Sequence, residues 1–354
     1  MNLAAVDNIA KAVLYEGYML YPYRPSSVKN QQRWNFGVLC PKSYCEAQSS
    51  GETWMMQTEC LAEGSAATAI EVRVRFLQLV QRTVGEATTS PGESVWGEIP
   101  GYRLVERLEV NGRVYQPWQE AIEREVQVPA CNLRALANKP LTHAFAFPAE
   151  KQFETLRSSR GEIVGALIRD RNQVSGEVEI RGEREAGGVF KICVCVRNTT
   201  PFDVVENASR DQALLNSLAS THTVLGVQNG SFVSLLAPPA DMSELAGRCL
   251  NIGTWPVLVG EEGQRDTVLS SRIILYDYPQ IAPESTGDLF DGTEIDEILS
   301  LRIMTLTDDE KREMSQSDDR AREMLERTEA MPVEQLMKLH GVLRGMRPLT
   351  KESQ

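Results

Sequence analysis

Residues 70–76 read IEVRVRF, and the alternation is strict. Ile70, Val72, Val74 and Phe76 point one way, while Glu71, Arg73 and Arg75 point the other. A period of two puts successive side chains on opposite faces, so this run is a strand with one apolar face and one polar face. Such strands belong to antiparallel sheets, and that constrains the fold more than any other feature. Two Asn-Gly pairs lie between strand-like runs, at Asn111–Gly112 and Asn229–Gly230. Asn and Gly tolerate positive φ, so each pair predicts a two-residue hairpin. A third hairpin is expected near Gly187–Gly188, and further strands at Trp34–Leu39, Glu162–Arg169, Trp255–Gly260 and Arg272–Tyr276.

Helical spacing appears at the start and after residue 285. Leu3, Val6, Ala10, Val13, Leu14 and Gly17 predict an amphipathic helix over 3–20, closed by Pro22 and Pro25. Short helices fit Ser209–Ala219, capped by Asn207 or Ser209, and Met242–Cys249 after Asp241. Beyond residue 285 four segments read as helices. Thr307 and Glu310 match a capping box, and Ala321, Met324, Leu325 and Thr328 make one helix face. In the last segment Pro332 suits the first helical turn, and Leu336, Leu339, His340 and Leu343 line a face. The expectation is an α+β fold. A β-rich body of mainly antiparallel sheets, with hairpins and short helices, spans 1–285, and an acidic helical region spans 286–354. The body has a possible internal division near 130–148.

Charge narrows the function. The net charge is −12, and residues 286–354 hold 16 acids against 10 bases. Phosphate backbones are bound by clustered Lys and Arg, so nucleic acid is disfavoured as a partner. No run of 18 apolar residues occurs, which argues against membrane insertion. The opening residues carry Asp7 and Lys11 and do not read as a signal peptide, and seven cysteines are not laid out as a disulfide framework. These features favour a cytoplasmic location.

Four places could carry chemistry. Residues 276–297 contain Glu284, Asp288, Asp291, Glu294, Asp296 and Glu297, with no Lys or Arg. An EF-hand register placed on Gly292 fails at Gly287, Leu289 and Ile298. Helix capping and solvated charge explain the stretch better than a cation site, with a protein-docking surface as the alternative. Cys193 and Cys195 share one strand face with Lys191 and Arg197, a pair of thiols that could bind a soft metal or accept sulfur. Buried, inert cysteine is the commoner outcome. Cys40 and Cys45 have a poor zinc spacing, and Cys60 has no activating partner nearby in sequence. His143, His222 and His340 are the three histidines, and no protease, hydrolase, Walker or Rossmann signature occurs. No cofactor is indicated, and an enzyme would need a dispersed active site. Finally Tyr15, Tyr18, Tyr21, Tyr23, Trp34 and Phe36 cluster with Arg24, Lys29 and Arg33. These rings suit core packing at a corner, or an interaction surface built on Tyr18, Tyr21, Tyr23, Arg24 and Trp34.

The phrases AVLYEGYMLYPYRPSSVKNQQRWNFGVL, WMMQTECL, NGSFVSLLAPP, GTWPVLVG and ILYDYPQIAPESTGDLFDGTEIDEIL lie between about residues 12 and 329. They resemble an uncharacterised bacterial family encoded near uptake NiFe hydrogenase and maturation genes. The family brings no catalytic residues to carry over. The resemblance implies a cytoplasmic, non-enzymatic accessory protein that contacts hydrogenase subunits or maturation factors. A thiol-based metal- or sulfur-handling protein using Cys193 and Cys195 is the alternative.

Overall fold

A computed structural model describes residues 3–16, 36–47, 51–88, 101–203, 209–280, 300–317 and 319–332. In chain order come α1 (Leu3–Glu16), α2 (Lys42–Ala47), β1 (Met55–Ala87), β2 (Tyr102–Val105), β3 (Leu108–Val110), β4 (Arg113–Tyr115) and β5 (Trp118–Asn132). There follow α3 (Leu133–Asn138), β6 (Leu141–Phe147), β7 (Glu150–Arg157), β8 (Ile163–Arg171), β9 (Val174–Arg184) and β10 (Val189–Asn198). Then come α4 (Arg210–Leu214), β11 (Ala219–Val233), α5 (Ser243–Gly247), β12 (Trp255–Leu258) and β13 (Thr267–Ser271). Three helices close the described chain: α6 (300–304), α7 (Asp308–Ser317) and α8 (Asp319–Glu329). The protein is α+β and strand-rich, and its pairings are antiparallel.

The alternating heptapeptide sits inside β1, which is 33 residues long and organises the molecule. Its first part pairs with β10, its middle with β11 and β5, and its end with β8 and β2. The main path through the sheet runs β12-β13-β11-β1-β10-β9-β6. Ile70, Val72, Val74 and Phe76 are fully buried in one core with Met56, Cys60, Val194 and Phe232. The sheet curls round that core, because Phe76 of β1 meets Phe145 and Phe147 of β6, the far end of the path, at centroid distances of 5.9 and 5.8 Å. Burying one such ring contributes about 2–3 kcal/mol.

The opposite face is polar but not open. Arg75 reaches Glu125 of β5 at 2.6 Å and Asp7 of α1 at 2.7 Å. Helix α1 lays Val6, Ile9, Ala10 and Val13 on Val224, Val257 and Leu269, forming a second core. A third core joins Leu14 and Tyr44 to Leu77 and Leu79, and takes in Ile303, Met314, Ala321, Met324 and Leu325 of α6–α8. The face read on α8 is therefore the buried one, with Thr328 at 6% exposure completing it. Thr307 and Glu310 form the capping box, with both reciprocal bonds present.

Several expectations change. Asn111–Gly112 is the hairpin turn between β3 and β4, with φ of 53° and 77°, and Gly187–Gly188 turns β9 into β10. Asn229–Gly230 is not a turn, because β11 runs straight through it. The positive φ at Asn229 serves a bulge instead, opposite residues 65–68 of β1. Thr68 Oγ1 donates to Asn229 O at 2.6 Å, and a Cβ on Gly230 would lie 2.6 Å from Glu63 O. Arg272–Tyr276 is not a strand; the strand is β13, five residues earlier. Residues 34–35 of the expected strand Trp34–Leu39 lie outside the described residues, and Leu39 makes isolated bridges to Leu218 and Thr53. Residues 130–148, the place of the possible internal division, hold the end of β5, α3 and β6.

Candidate functional site, a cationic pocket at the start of β11

The segment 36–40 is held against the residues that open β11. Leu39 N–H donates to Leu218 O at 2.9 Å, Ser220 N–H to Phe36 O at 3.2 Å, and Thr221 N–H to Gly37 O at 2.9 Å. Asn198 anchors the segment from below, donating through Nδ2 to Leu39 O at 2.8 Å and Asn216 O at 3.0 Å. The close approach needs Gly37 at φ 63°, and it holds Ser220 at φ 50°. Left-handed backbone at a serine is strained by about 1–3 kcal/mol and persists when its surroundings enforce it.

Val13, Phe36, Gly37, Ser220, Thr221, Arg272 and Ile273 line a small pocket there, with a cavity of about 10 Å³. Arg272 follows β13 directly. Its Nε is buried and has no hydrogen-bond partner, and Ser220 Oγ is in the same state. No carboxylate pairs with Arg272 among the described residues. Glu52 is close enough to act electrostatically, but Arg210 Nε already holds it at 2.8 Å. Burial pulls Arg272 down from the ordinary arginine pKa, with Glu52 and Cys40 opposing. An unpaired cation in a poorly solvated place attracts an anion.

Exposed apolar side chains stand near Arg272 along the chain and across the ladder. Trp255, 44% exposed, pairs across the ladder with Ser271, next to Arg272. Ile274 and Tyr276 follow in the chain at 71% and 84% exposure, while Leu275 between them is buried against α1. A Cβ on Gly253 would lie 2.9 Å from Arg272 Nη2, which puts the 252–254 segment beside the guanidinium, and Ile252 is exposed too.

A second cavity, of about 230 Å³, opens over β1, β5, β7 and β8. Val80 and Ile122 are apolar lining, with Glu120, Glu150, Arg169 and Arg171 around them. Here each arginine has a carboxylate. Arg169 reaches Glu120 and Glu154 at 2.7 Å each, Arg82 reaches Glu120 at 2.9 Å, and Arg171 is bound by Glu150.

The thiol pair lies where the strand period puts it. Cys193 faces Glu59 and Arg181 on the flanking strands, and Cys195 faces Gln57 and Glu179. Their charged neighbours are tied together: Arg197 to Glu177 at 2.8 Å and Glu179 at 2.7 Å, and Lys191 to Glu183 at 3.2 Å. Burial pushes Cys193 up to about 11, against the pull of Arg181, and pushes Cys195 up as well. At neutral pH both stay thiols, whereas metal ligands and nucleophiles are thiolates. Among the described residues no three His, Cys, Asp or Glu side chains are grouped to hold a metal ion. His222 is fully buried; its Nδ1 lies 3.2 Å from Ser220 O and its Nε2 has no partner.

Of the proposed interaction residues, Tyr18, Tyr21, Tyr23, Arg24 and Trp34 lie outside the described residues, as do Asp288, Asp291, Glu294, Asp296 and Glu297. Tyr15 is described and is buried, its hydroxyl donating to Glu123 at 2.6 Å. Arg272 and Ser220 are the functional candidates that the strand pattern alone does not single out. One signal was available: the run TVLSSRIILY over 267–276 has a single charge and no acid.

No family model matches the chain, and no curated protein matches it. Among the described residues no helix is long and apolar enough to cross a membrane.

Proposed function

We propose that the chain is a non-enzymatic accessory protein that binds other polypeptides through the surface around Arg272. The observation that carries this reading is the rim of Trp255, Ile274 and Tyr276 about an arginine with no partner among the described residues. Tryptophan, tyrosine and arginine dominate the binding energy of protein interfaces, because each combines large apolar area with a polar group. Large exposed apolar side chains gathered in one place mark interaction sites more often than chance. The partners proposed are subunits of a NiFe hydrogenase or its maturation factors, in the cytoplasm, as the family resemblance implies.

The test is co-purification from native lysate with identification of the bound chains by mass spectrometry. Full-length protein should retrieve hydrogenase subunits or maturation factors, and a Trp255→Ser/Tyr276→Ser variant with unchanged circular dichroism should not. Loss of the gene should lower hydrogenase activity. If the wild-type chain retrieves none of these proteins, and hydrogenase activity is normal without it, the reading is wrong.

A further inference from the structure

The unsatisfied groups at the mouth of β11 say more than that something docks there. The pocket offers two side-chain donors, Arg272 Nε and Ser220 Oγ, and neither has an acceptor. Ser220 is only 7% exposed, so water does not readily replace the missing partner. The neighbouring backbone donors are already used, Ser220 N–H by Phe36 O and Thr221 N–H by Gly37 O. Val13, Phe36 and Ile273 make the remaining wall apolar, which lowers the local dielectric and strengthens a charge-assisted bond. A cavity of about 10 Å³ admits roughly one small group. One oxygen of an anion is the size of group that fits, and the anion a polypeptide carries on its own side chains is the carboxylate of Asp or Glu, whose oxygens match a guanidinium edge.

We infer that this pocket receives a single Asp or Glu carboxylate from the partner polypeptide, held by Arg272 and Ser220, with the flanking apolar residues of the partner lying on Trp255, Ile274 and Tyr276. This rests on the docking reading above and adds the chemistry of the occupant. Gly37 sets the width of the opening. A Cβ there would lie 3.4 Å from Ser220 Cα and 3.5 Å from Arg272 Cγ, both at the pocket wall.

The experiment follows the Arg272 Nε–H resonance of the ¹⁵N-labelled full-length chain, assigned by its loss in Arg272→Lys. Sodium formate, sodium chloride, and the capped peptides acetyl-Leu-Asp-Leu-amide and acetyl-Leu-Asn-Leu-amide are titrated at constant ionic strength. Formate should shift the resonance and chloride should not. The Asp peptide should do so at concentrations lower by about tenfold or more, since the apolar rim adds contact. The Asn peptide should have no effect, and Ser220→Ala should weaken the Asp peptide several-fold while leaving the circular dichroism unchanged. A resonance that moves with neither formate nor the Asp peptide overturns the proposal. So does an equal response to chloride, which makes the pocket an inorganic anion hole. Formate binding without any gain for the peptide also overturns it, leaving a receptor for free small acids. Because co-purification reads the docking surface separately, captured partners with a silent Arg272 would sink the carboxylate alone. Peptide binding with no captured hydrogenase protein would sink only that choice of partner.

Discussion

Both arginine-lined cavities leave a buried guanidinium Nε without a partner, at Arg171 in one and at Arg272 in the other, and they are told apart by the carboxylates that hold the first and not the second. Over β5 and β8, Glu120 accepts from both Arg82 and Arg169, while Glu150 and Glu154 take up Arg171 and the other side of Arg169. At the start of β11, Arg272 stands with its Nε bare, beside a serine in the same condition. The same residue type therefore does opposite things. In the first cavity the charges were neutralised when the chain folded, so the cavity is part of the scaffold. In the second, no described residue supplies the neutralising group, and another polypeptide is proposed to bring it. Binding sites commonly carry such unspent interactions, and the fold must be stable enough elsewhere to tolerate them.

The largest expected effect breaks the satisfied side. Glu120→Ala removes the carboxylate shared by Arg82, whose side chain is 7% exposed, and Arg169. Leaving a buried guanidinium uncompensated costs about 3 kcal/mol. Urea denaturation of the variant measures it. A loss below about 1 kcal/mol would mean that these pairs are surface decoration and that the contrast between the cavities is overstated.

Next in size is a pH effect on the unsatisfied side. His222 is fully buried two residues from Ser220, with its Nδ1 3.2 Å from Ser220 O and with Arg75 and Glu125 as its charged neighbours. Burial, helped by Arg75 and opposed by the Ser220 carbonyl and Glu125, lowers its pKa from 6.5 to about 4. Between these values the unfolded chain binds a proton that the folded chain refuses. The stability from His222 is therefore complete above about pH 6.5 and is lost as the pH falls towards 4, by about 3 kcal/mol in all. Glu125, whose pKa is held down by Gln127 and Arg75 against its burial, loses its own contribution only at still lower pH. His222→Asn should flatten the urea midpoint between about pH 7 and about pH 5. An unchanged slope in that variant would show that some other group titrates.

What the sequence disclosed about these regions follows from how local each feature is. The apolar face of residues 70–76 depends on a period of two, and all four of its residues are buried as read. The capping box at Thr307 and the buried face of α8 depend on spacings of three and four, and both hold. Asn229–Gly230 misled because positive φ is common to hairpin turns and bulges; the choice was made by residues 65–68, far away on β1. The same limit hid the pocket. Ser220 and Arg272 are 52 positions apart and meet because β13 pairs with β11 and the segment 36–40 closes over them. A lone charge in TVLSSRIILY was visible, but whether an acid met it in space was not.

A smaller effect separates strain from function at the unsatisfied pocket. Ser220 carries φ 50°, a conformation glycine adopts freely. Ser220→Gly should raise stability by about 1 kcal/mol while it weakens carboxylate binding, because glycine takes this backbone without strain and the hydroxyl goes. If thermal unfolding shows a loss instead, the hydroxyl is satisfied in the free protein and the pocket is not waiting for an acceptor. Arg272→Met carries the comparison further. Removing an unpaired, partly buried cation in favour of a similar apolar volume should leave stability unchanged or raise it by up to about 1 kcal/mol. That outcome is the reverse of Glu120→Ala, and a loss comparable to it would place a hidden counter-charge beside Arg272.

The smallest effect supplies the baseline against which the others are judged. Arg103 and Glu86 form a pair at 2.7 Å, with side chains 72% and 41% exposed. Its geometry is as good as that of Arg169 with Glu120, so distance alone would rank the two together. Solvent decides otherwise. Water screens the exposed pair and competes for both partners, and ordering two long side chains costs entropy. Glu86→Gln should therefore shift stability by less than about 0.5 kcal/mol, and that shift should vanish in high salt. A larger value would mean that ion-pair geometry outweighs burial in this sheet. The meaning of an arginine without a partner would then have to be argued from distance, and the case for Arg272 as a receptor would lose its physical ground.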